Sequence, residues 1–155
     1  MKKFISIIIL LIIPCIAFSQ KTEDVILNDN EFKALAKKAT EFYTSEAYIN
    51  FEKNREEFSE KVGRSFYPEG SLEPEKYKSW IKENLDKTNF TSLEEGLSVY
   101  YQYYNSILTK PNEKEITSLL FKLDEKYGSD TFRPIFTKYV LSEVFIVWDK
   151  NGINP

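Results

Sequence analysis

Apolar side chains recur every three or four positions through most of the chain, which is the spacing of α-helices with one buried face. The first such helix begins after Asn28, Asp29 or Asn30, whose side chains can all cap a helix. Residues 20–27 before it are expected to be a short lead-in. The inward positions of this first helix are Phe32, Leu35, Ala36, Ala39, Phe42 and Tyr43.

A second helix is expected after a break near Thr44. Continuing the first helix in the same register would turn Tyr48 and Phe51 to a different side, so a new helix must start before them. This helix is expected to run to Val62 and to end at Gly63, because glycine is the usual residue of a left-handed C-terminal cap.

Three further helices are indicated by residues typical of a first turn: Pro74, Ser92 with Glu95, and Asn112 with Glu115. The second of these signals is a capping box, in which each of the two side chains bonds to the backbone N–H group of the other residue. Pro111 is expected to end the fourth helix, and Gly128 is expected to end the fifth.

The last helix is expected from about Thr131 to Asp149, with Asp130 as its cap. Its end, Val144–Trp148, is β-branched and aromatic, which by propensity alone also fits a strand. We favour a helix because the apolar residues keep helical spacing and no second strand is evident. These residues are Phe132, Ile135, Phe136, Tyr139, Val140 and Val147. The sequence therefore predicts an all-α fold, a single-domain bundle of five to six helices over residues 20–155.

Residues 1–19 have the organisation of a secretory signal peptide. Lys2 and Lys3 provide the positive start, an apolar stretch follows, and Ala17 and Ser19 place small residues where signal peptidase requires them. We expect this leader to be removed and the mature protein to be periplasmic or extracellular. The apolar stretch is too short to cross a bilayer, so no stable membrane anchor is expected.

Removal of the leader changes what the composition allows. The chain of 155 residues has no His, and its one Cys and one Met are Cys15 and Met1 of the leader. Lipidation of Cys15 is the open alternative, although Pro14 departs from the small residue that a lipobox has there. A mature chain without His, Cys or Met cannot form a Ser-His-Asp triad, a thiol nucleophile, a disulfide or a zinc site with these ligands. We expect no catalytic residue, no metal and no cofactor.

The mature chain is acidic and rich in aromatic residues. The chain has 21 Lys and Arg and 24 Asp and Glu residues, and loss of Lys2 and Lys3 changes its net charge from −3 to −5. Nucleic acids and anionic membranes require a dense basic patch, so neither is an expected partner. Aromatic residues make up 15% of the chain and can supply a core without covalent links.

Two charged residues fall at the centre of otherwise apolar helix faces. Arg55 lies among aromatic residues of the second helix, including Phe51 and Phe58, and Glu143 lies among apolar residues of the last. An isolated buried charge is very unfavourable, so we predict a buried ion pair of Arg55 with Glu143 that fixes how two helices pack. One alternative is that Glu143 is a ligand-binding or catalytic acid facing a solvent-accessible cleft, and another is that these charges are simply exposed at a helix edge.

Two groups of residues are candidates for binding. Tyr100 and Tyr104 lie on the inward face of the fourth helix, where they either pack in the core or line a pocket for a small ligand. The loop after the second helix contains Arg64, Phe66 and Tyr67, residue types that anchor protein interfaces. The phenylalanine of this loop could instead cover the end of the bundle.

These features favour an exported, non-catalytic helical protein that binds another protein, as an inhibitor, an immunity-type factor or an accessory factor does. The expectation rests on the leader, the size, the acidity and the missing catalytic groups. The alternative is a carrier or sensor of a small apolar or aromatic ligand held in a tyrosine-lined cavity. An enzyme that works through carboxylate, Tyr, Lys and Arg side chains is the third possibility. The oligomeric state stays open.

Overall fold

The computed structural model describes residues 22–63 and 73–153, and these ranges contain helices without any β-strand. The all-α prediction is confirmed, but seven α-helices follow residue 29 where five to six were predicted. They are α1 (Asn30–Tyr43), α2 (Glu46–Val62), α3 (Pro74–Asn84), α4 (Leu93–Thr109), α5 (Lys114–Tyr127), α6 (Ser129–Phe136) and α7 (Ser142–Lys150). Residues 22–28 are also helical, so they are more than a short lead-in. The predicted signal peptide, residues 1–19, lies outside the described residues.

The described residues form two compact units. The first unit comprises residues 22–41 and 113–144, and the second comprises residues 42–63, 73–112 and 145–153. The first therefore contains most of α1 together with α5 and α6, and the second contains α2, α3 and α4. A single domain over the whole mature chain stays a prediction.

Most of the predicted helix starts are confirmed. Ser45 caps α2, because its hydroxyl accepts a hydrogen bond from the N–H of Tyr48. Ser92 caps α4 in the same way through the N–H of Glu95. Pro74 is the first residue of α3, where its missing N–H group does not interrupt the helix.

The start of α5 differs from the prediction. The helix begins at Lys114, and Glu113 before it makes no side-chain capping bond. The expected capping pair, Asn112 and Glu115, therefore does not define this helix start. The carboxylate of Glu115 instead lies 3.0 Å from the Nζ atom of Lys38 on α1.

The predicted sixth helix is divided in two. Thr137–Leu141 form a π-helical turn between α6 and α7, in which the N–H of Ser142 bonds to the carbonyl of Thr137. Pro134, inside α6, lacks the N–H group that a regular helix uses at this position. The π turn adds one residue, so the residues after it are rotated by about 100° relative to a continuous helix. The helical prediction for Val144–Trp148 is confirmed, since this segment lies within α7.

The first unit has its own apolar core. The ring of Phe32 on α1 meets that of Phe132 on α6 edge to face, with centroids 6.3 Å apart. The side chains buried with this pair come from every helical segment of the unit. They are Ile26, Leu35, Ala39, Ile116, Leu123, Ile135, Phe136, Val140 and Val144.

Asp29 links the start of α1 to the end of α5. One carboxylate oxygen caps α1 by accepting hydrogen bonds from the N–H groups of Glu31, at 2.6 Å, and Phe32, at 3.3 Å. The other oxygen accepts hydrogen bonds from Nζ of Lys126 and the hydroxyl of Tyr127, both at 2.6 Å. The side chain is only 7% exposed, and these four bonds compensate the loss of its hydration.

In the second unit, α4 packs against both α2 and α3. Tyr77 of α3 and Tyr100 of α4 are fully buried, and their rings stack with centroids 4.0 Å apart. The hydroxyl of Tyr77 donates a hydrogen bond of 3.2 Å to the carbonyl of Gly96. A Cβ atom on Gly96 would lie 3.1 Å from the side chain of Ile81, so the glycine allows α3 and α4 to approach closely.

Residues 151–153 fold back onto the end of α7. Gly152 has a φ angle of 73°, and its N–H donates a hydrogen bond to the carbonyl of Asp149. The next N–H, that of Ile153, donates to the carbonyl of Trp148. These two bonds form a Schellman motif, which satisfies the last carbonyls of the helix. The turn also buries Ile153, which is 3% exposed.

Replacing Gly152 by alanine should destabilise this turn, because a residue with a Cβ is disfavoured at positive φ. We expect Gly152→Ala to lower the free energy of unfolding by about 1 kcal/mol, measured by urea denaturation and tryptophan fluorescence. Lys150→Ala, at an exposed position of the same helix end, is the control and should change it by less than about 0.5 kcal/mol. Equal stability of the two variants would contradict the strain assigned to this position.

Candidate binding site around Arg55

Arg55 presents a fixed guanidinium group on α2. Its Nε and Nη2 atoms lie 2.7 and 2.6 Å from Oε2 of Glu52, one turn earlier in the same helix. The two side chains differ in exposure, which is 55% for Arg55 and 7% for Glu52. A buried carboxylate therefore fixes the position of a guanidinium that still meets solvent.

Aromatic side chains that are mostly buried lie near this pair. Arg55 lies on the same side of α2 as Phe51 and Phe58. Both rings stack on Tyr103 of α4, with centroid distances of 6.0 and 5.0 Å. Burial raises the pKa of the Tyr103 phenol, while the charge of Arg55 opposes this shift and the charge of Glu52 reinforces it. The phenol, the guanidinium and the carboxylate are therefore electrostatic neighbours.

The prediction that Arg55 and Glu143 are buried charges is wrong. Arg55 is 55% exposed, since an arginine side chain is long enough to bring its charged end to solvent. Glu143 is exposed on α7, because the π turn rotates this helix and Val144 takes the fully buried position instead. The two residues belong to different units, and a contact between them stays a prediction.

The position of Glu52 on α2 does not identify it from the sequence as a residue of this site. Glu52 lies toward the edge of the apolar face of α2, yet its side chain is only 7% exposed. The available signal is the three-residue spacing of Glu52 and Arg55, which places opposite charges on adjacent turns. Helical side chains point toward the N-terminus, so a long arginine side chain reaches back to a glutamate in the preceding turn.

Breaking this pair from one side should destabilise the protein more than removing both charges. Arg55→Gln leaves the buried carboxylate of Glu52 without its cation, and we expect a loss of about 2 kcal/mol in unfolding free energy. Glu52→Gln/Arg55→Gln contains no unpaired charge and should recover about half of that loss. Urea unfolding of the wild type, Arg55→Gln, Glu52→Gln and the double variant gives the coupling energy between the two side chains. Strictly additive losses would contradict the pairing.

The tyrosines predicted as alternative binding residues belong to the core of the second unit. Tyr100 is 0% exposed and stacks on Tyr77. Tyr104 is partly buried against the same cluster, with its ring centroid 5.8 Å from that of Tyr100. These contacts are those of packing residues. Three other predicted binding residues lie outside the described part of the chain: Arg64, Phe66 and Tyr67.

A second candidate site is a surface cleft of about 470 Å³ in the first unit. Its lining consists of Thr22, Glu23, Asp130, Thr131, Pro134, Ile135 and Lys138. Glu23 accepts a hydrogen bond of 2.7 Å from Lys138 and another from the hydroxyl of Tyr139, and these bonds lower the pKa of Glu23. None of the described residues that line this cleft is aromatic.

The guanidinium of Arg55 can bind a partner through hydrogen bonds. Within residues 22–63 and 73–153, no group of three or more Asp, Glu, His or Cys side chains could hold a metal ion. None of the helices in these ranges is both long and apolar enough to cross a membrane. The N–H groups of Arg55 that Glu52 does not use can donate charge-assisted hydrogen bonds to carboxylate or carbonyl oxygens.

Comparison with known proteins identifies no relative. The sequence matches no protein-family model, and no curated protein or solved structure shows significant similarity to it.

Proposed function

We propose that this is an exported, non-catalytic helical protein that binds another protein, with Arg55 as the anchor of the binding surface. The supporting observation is the exposed guanidinium, held by buried Glu52 beside the stacked rings of Phe51 and Tyr103. Export is supported by the signal-peptide organisation of residues 1–19. The partner is then a protein of the periplasm or of the extracellular space.

This arrangement has the properties of an interface anchor. Arginine and tyrosine are enriched among the residues that contribute most to protein binding. Ordering a long side chain normally reduces affinity, but Glu52 already restricts the rotamers of Arg55 in the unbound protein. Oxygen atoms of the partner accept hydrogen bonds from the exposed guanidinium.

The charge of the chain limits the partner further. Loss of the two leader lysines changes the net charge from −3 to −5, so a partner with a strongly acidic contact surface would be repelled. An inhibitor, an immunity-type factor and an accessory factor all fit this description. A carrier of a small ligand stays a prediction, and the full burial of Tyr100 favours a packing role for that residue.

Affinity capture from the native cell envelope tests the proposal. The baits are the mature wild-type chain, Arg55→Gln, Glu52→Gln/Arg55→Gln and Lys53→Gln, and mass spectrometry identifies the proteins that bind. Lys53→Gln is the matched control, because it removes an exposed positive charge from the same helix. We expect one stoichiometric protein with the wild type and the control, and its loss with both Arg55 variants. Equal capture by all four baits, or capture by none, would contradict the proposal.

A further inference from the structure

The outer side of α4 lacks charged residues after the first turn of the helix. From Gly96 to Thr109 the helix contains no Asp, Glu, Lys or Arg, although these residues make up 29% of the chain. The exposed residues of this stretch form a surface that we name the α4 face: Ser98, Tyr101, Gln102, Asn105, Leu108 and Thr109. Tyr101 is 39% exposed and Leu108 is 66% exposed. An uncharged surface with exposed apolar side chains is typical of an interface.

We propose that the α4 face binds a second copy of this chain, forming a two-fold symmetric pair of antiparallel α4 helices. The argument for this partner is charge. Two mature copies, each with a net charge of −5 once Lys2 and Lys3 have left with the leader, repel each other at long range. Contact through a surface without charges brings two such copies together without placing like charges against each other. The α4 face meets this condition.

The antiparallel orientation follows from the end of the helix and from its dipole. Glu94 borders the α4 face at its N-terminal end. In a parallel pair it would lie beside Glu94 of the other chain, and the two helix dipoles would align unfavourably. In an antiparallel pair centred near Asn105, Leu108 of one copy packs against Tyr101 of the other. The two-fold axis repeats this contact. The amide groups of the two central asparagines can bond across the axis.

The size of the contact sets its strength. The 17 residues of α4 span about 25 Å, so the buried area lies at the low end of specific interfaces. We therefore expect a reversible dimer that forms as the protein concentration rises. Because the contact contains no ion pair, added salt screens the net repulsion and strengthens the dimer, whereas salt weakens an interface held by ion pairs.

This dimer leaves the Arg55 surface accessible. Tyr103, which stacks on Phe51 and Phe58 of α2, lies about 200° around α4 from Asn105. The α4 face and the Arg55 surface are therefore on opposite sides of the same helix. Self-association goes beyond the proposed binding of another protein, and neither proposal depends on the other.

Analytical ultracentrifugation of the mature chain over a concentration series tests the dimer. The mean mass should rise from one chain toward two, and the rise should be larger at high NaCl concentration. Leu108→Asp should weaken association by about tenfold or more, because it places an unpaired charge at both symmetry-related contacts. Phe121→Asp is the matched control, since Phe121 is 68% exposed and does not belong to the α4 face. Circular dichroism verifies that both variants keep their helix content.

Cysteine cross-linking tests the orientation, because the mature chain has no cysteine of its own. Asn105→Cys lies at the proposed axis and should form a covalent dimer on oxidation. Ser98→Cys should not form a covalent dimer, since residue 98 of one chain lies about 20 Å from residue 98 of the other in the antiparallel pair. A mass of one chain at every concentration, equal weakening by both aspartate variants, or cross-linking through Ser98→Cys as well as Asn105→Cys would overturn the proposal.

Discussion

Replacing Tyr100 by alanine should lower the free energy of unfolding by about 3–5 kcal/mol. Tyr100 is fully buried, and its ring is in contact with the rings of Tyr77, Phe58 and Tyr104. Removal of the ring leaves a cavity bordered by other aromatic side chains, which lose their contacts and cannot fill it completely. A loss of this size is a large fraction of the stability of a typical domain. Urea denaturation should show it as a lower midpoint with an unchanged slope.

Tyr101→Ala is the matched control for this substitution. It removes the same side chain from the neighbouring position, where the residue is 39% exposed, and should reduce stability by less than about 1 kcal/mol. Similar losses for the two variants would mean that Tyr100 is not a core residue. The tyrosine-lined pocket would then become the better interpretation of this part of α4.

Stability should decrease between about pH 4 and about pH 2 because Asp29 becomes protonated there. Burial alone would raise the pKa of this carboxyl, but hydrogen bonds from Lys126, Tyr127 and the N–H groups of Glu31 and Phe32 lower it from 3.8 to about 2. The pKa is lower in the folded state than in the unfolded state. The stabilisation is therefore complete above the unfolded pKa and is lost as the pH falls through the folded pKa, a difference of about 2 kcal/mol.

Asp29→Asn isolates this effect, because asparagine can still cap α1 but has no charge to offer Lys126. We expect the variant to be about 2 kcal/mol less stable than the wild type at neutral pH and nearly equal to it at about pH 2. Urea unfolding followed by circular dichroism measures both. Lys61 and Thr91 also hold the pKa of Glu95 at about 2, but this group titrates in both proteins and does not affect their difference. A difference that is independent of pH would contradict the assignment.

The helix ends could be predicted from the sequence because short-range chemistry determines them. Ser45, Ser92 and Pro74 act within one turn of their own position, and the structure places all three at the predicted helix starts. The helices α2 and α5 likewise end at Gly63 and Gly128, as predicted. None of these features depends on which distant segment packs nearby.

The π turn could not be predicted from apolar spacing. A single added residue between α6 and α7 is enough to exchange Glu143 for Val144 at the buried position. Pro134 was the available signal of an irregular helix, since proline removes a backbone hydrogen bond. Apolar spacing assumes an uninterrupted helix, so it places every residue after an added one about 100° from its true position.

The candidate site could be predicted only in part. Arg55 stands out in the sequence because it is a charge in the middle of an apolar helix face. Its exposure and the burial of Glu52 depend on how α4 covers α2, which no local pattern determines. The stack of Tyr100 on Tyr77 likewise joins residues of two helices, so the sequence indicated a core tyrosine without indicating its neighbour.

The dissociation constant of the captured protein, measured by titration calorimetry, tests the proposed function most directly. Arg55→Gln and Glu52→Gln/Arg55→Gln should weaken binding by about tenfold or more, and Lys53→Gln should stay within about twofold of the wild type. The double variant keeps the net charge of the wild type and has no unpaired buried carboxylate, so weaker binding there reports the lost guanidinium. A dissociation constant of the double variant equal to that of the wild type would contradict the proposal that Arg55 anchors the partner.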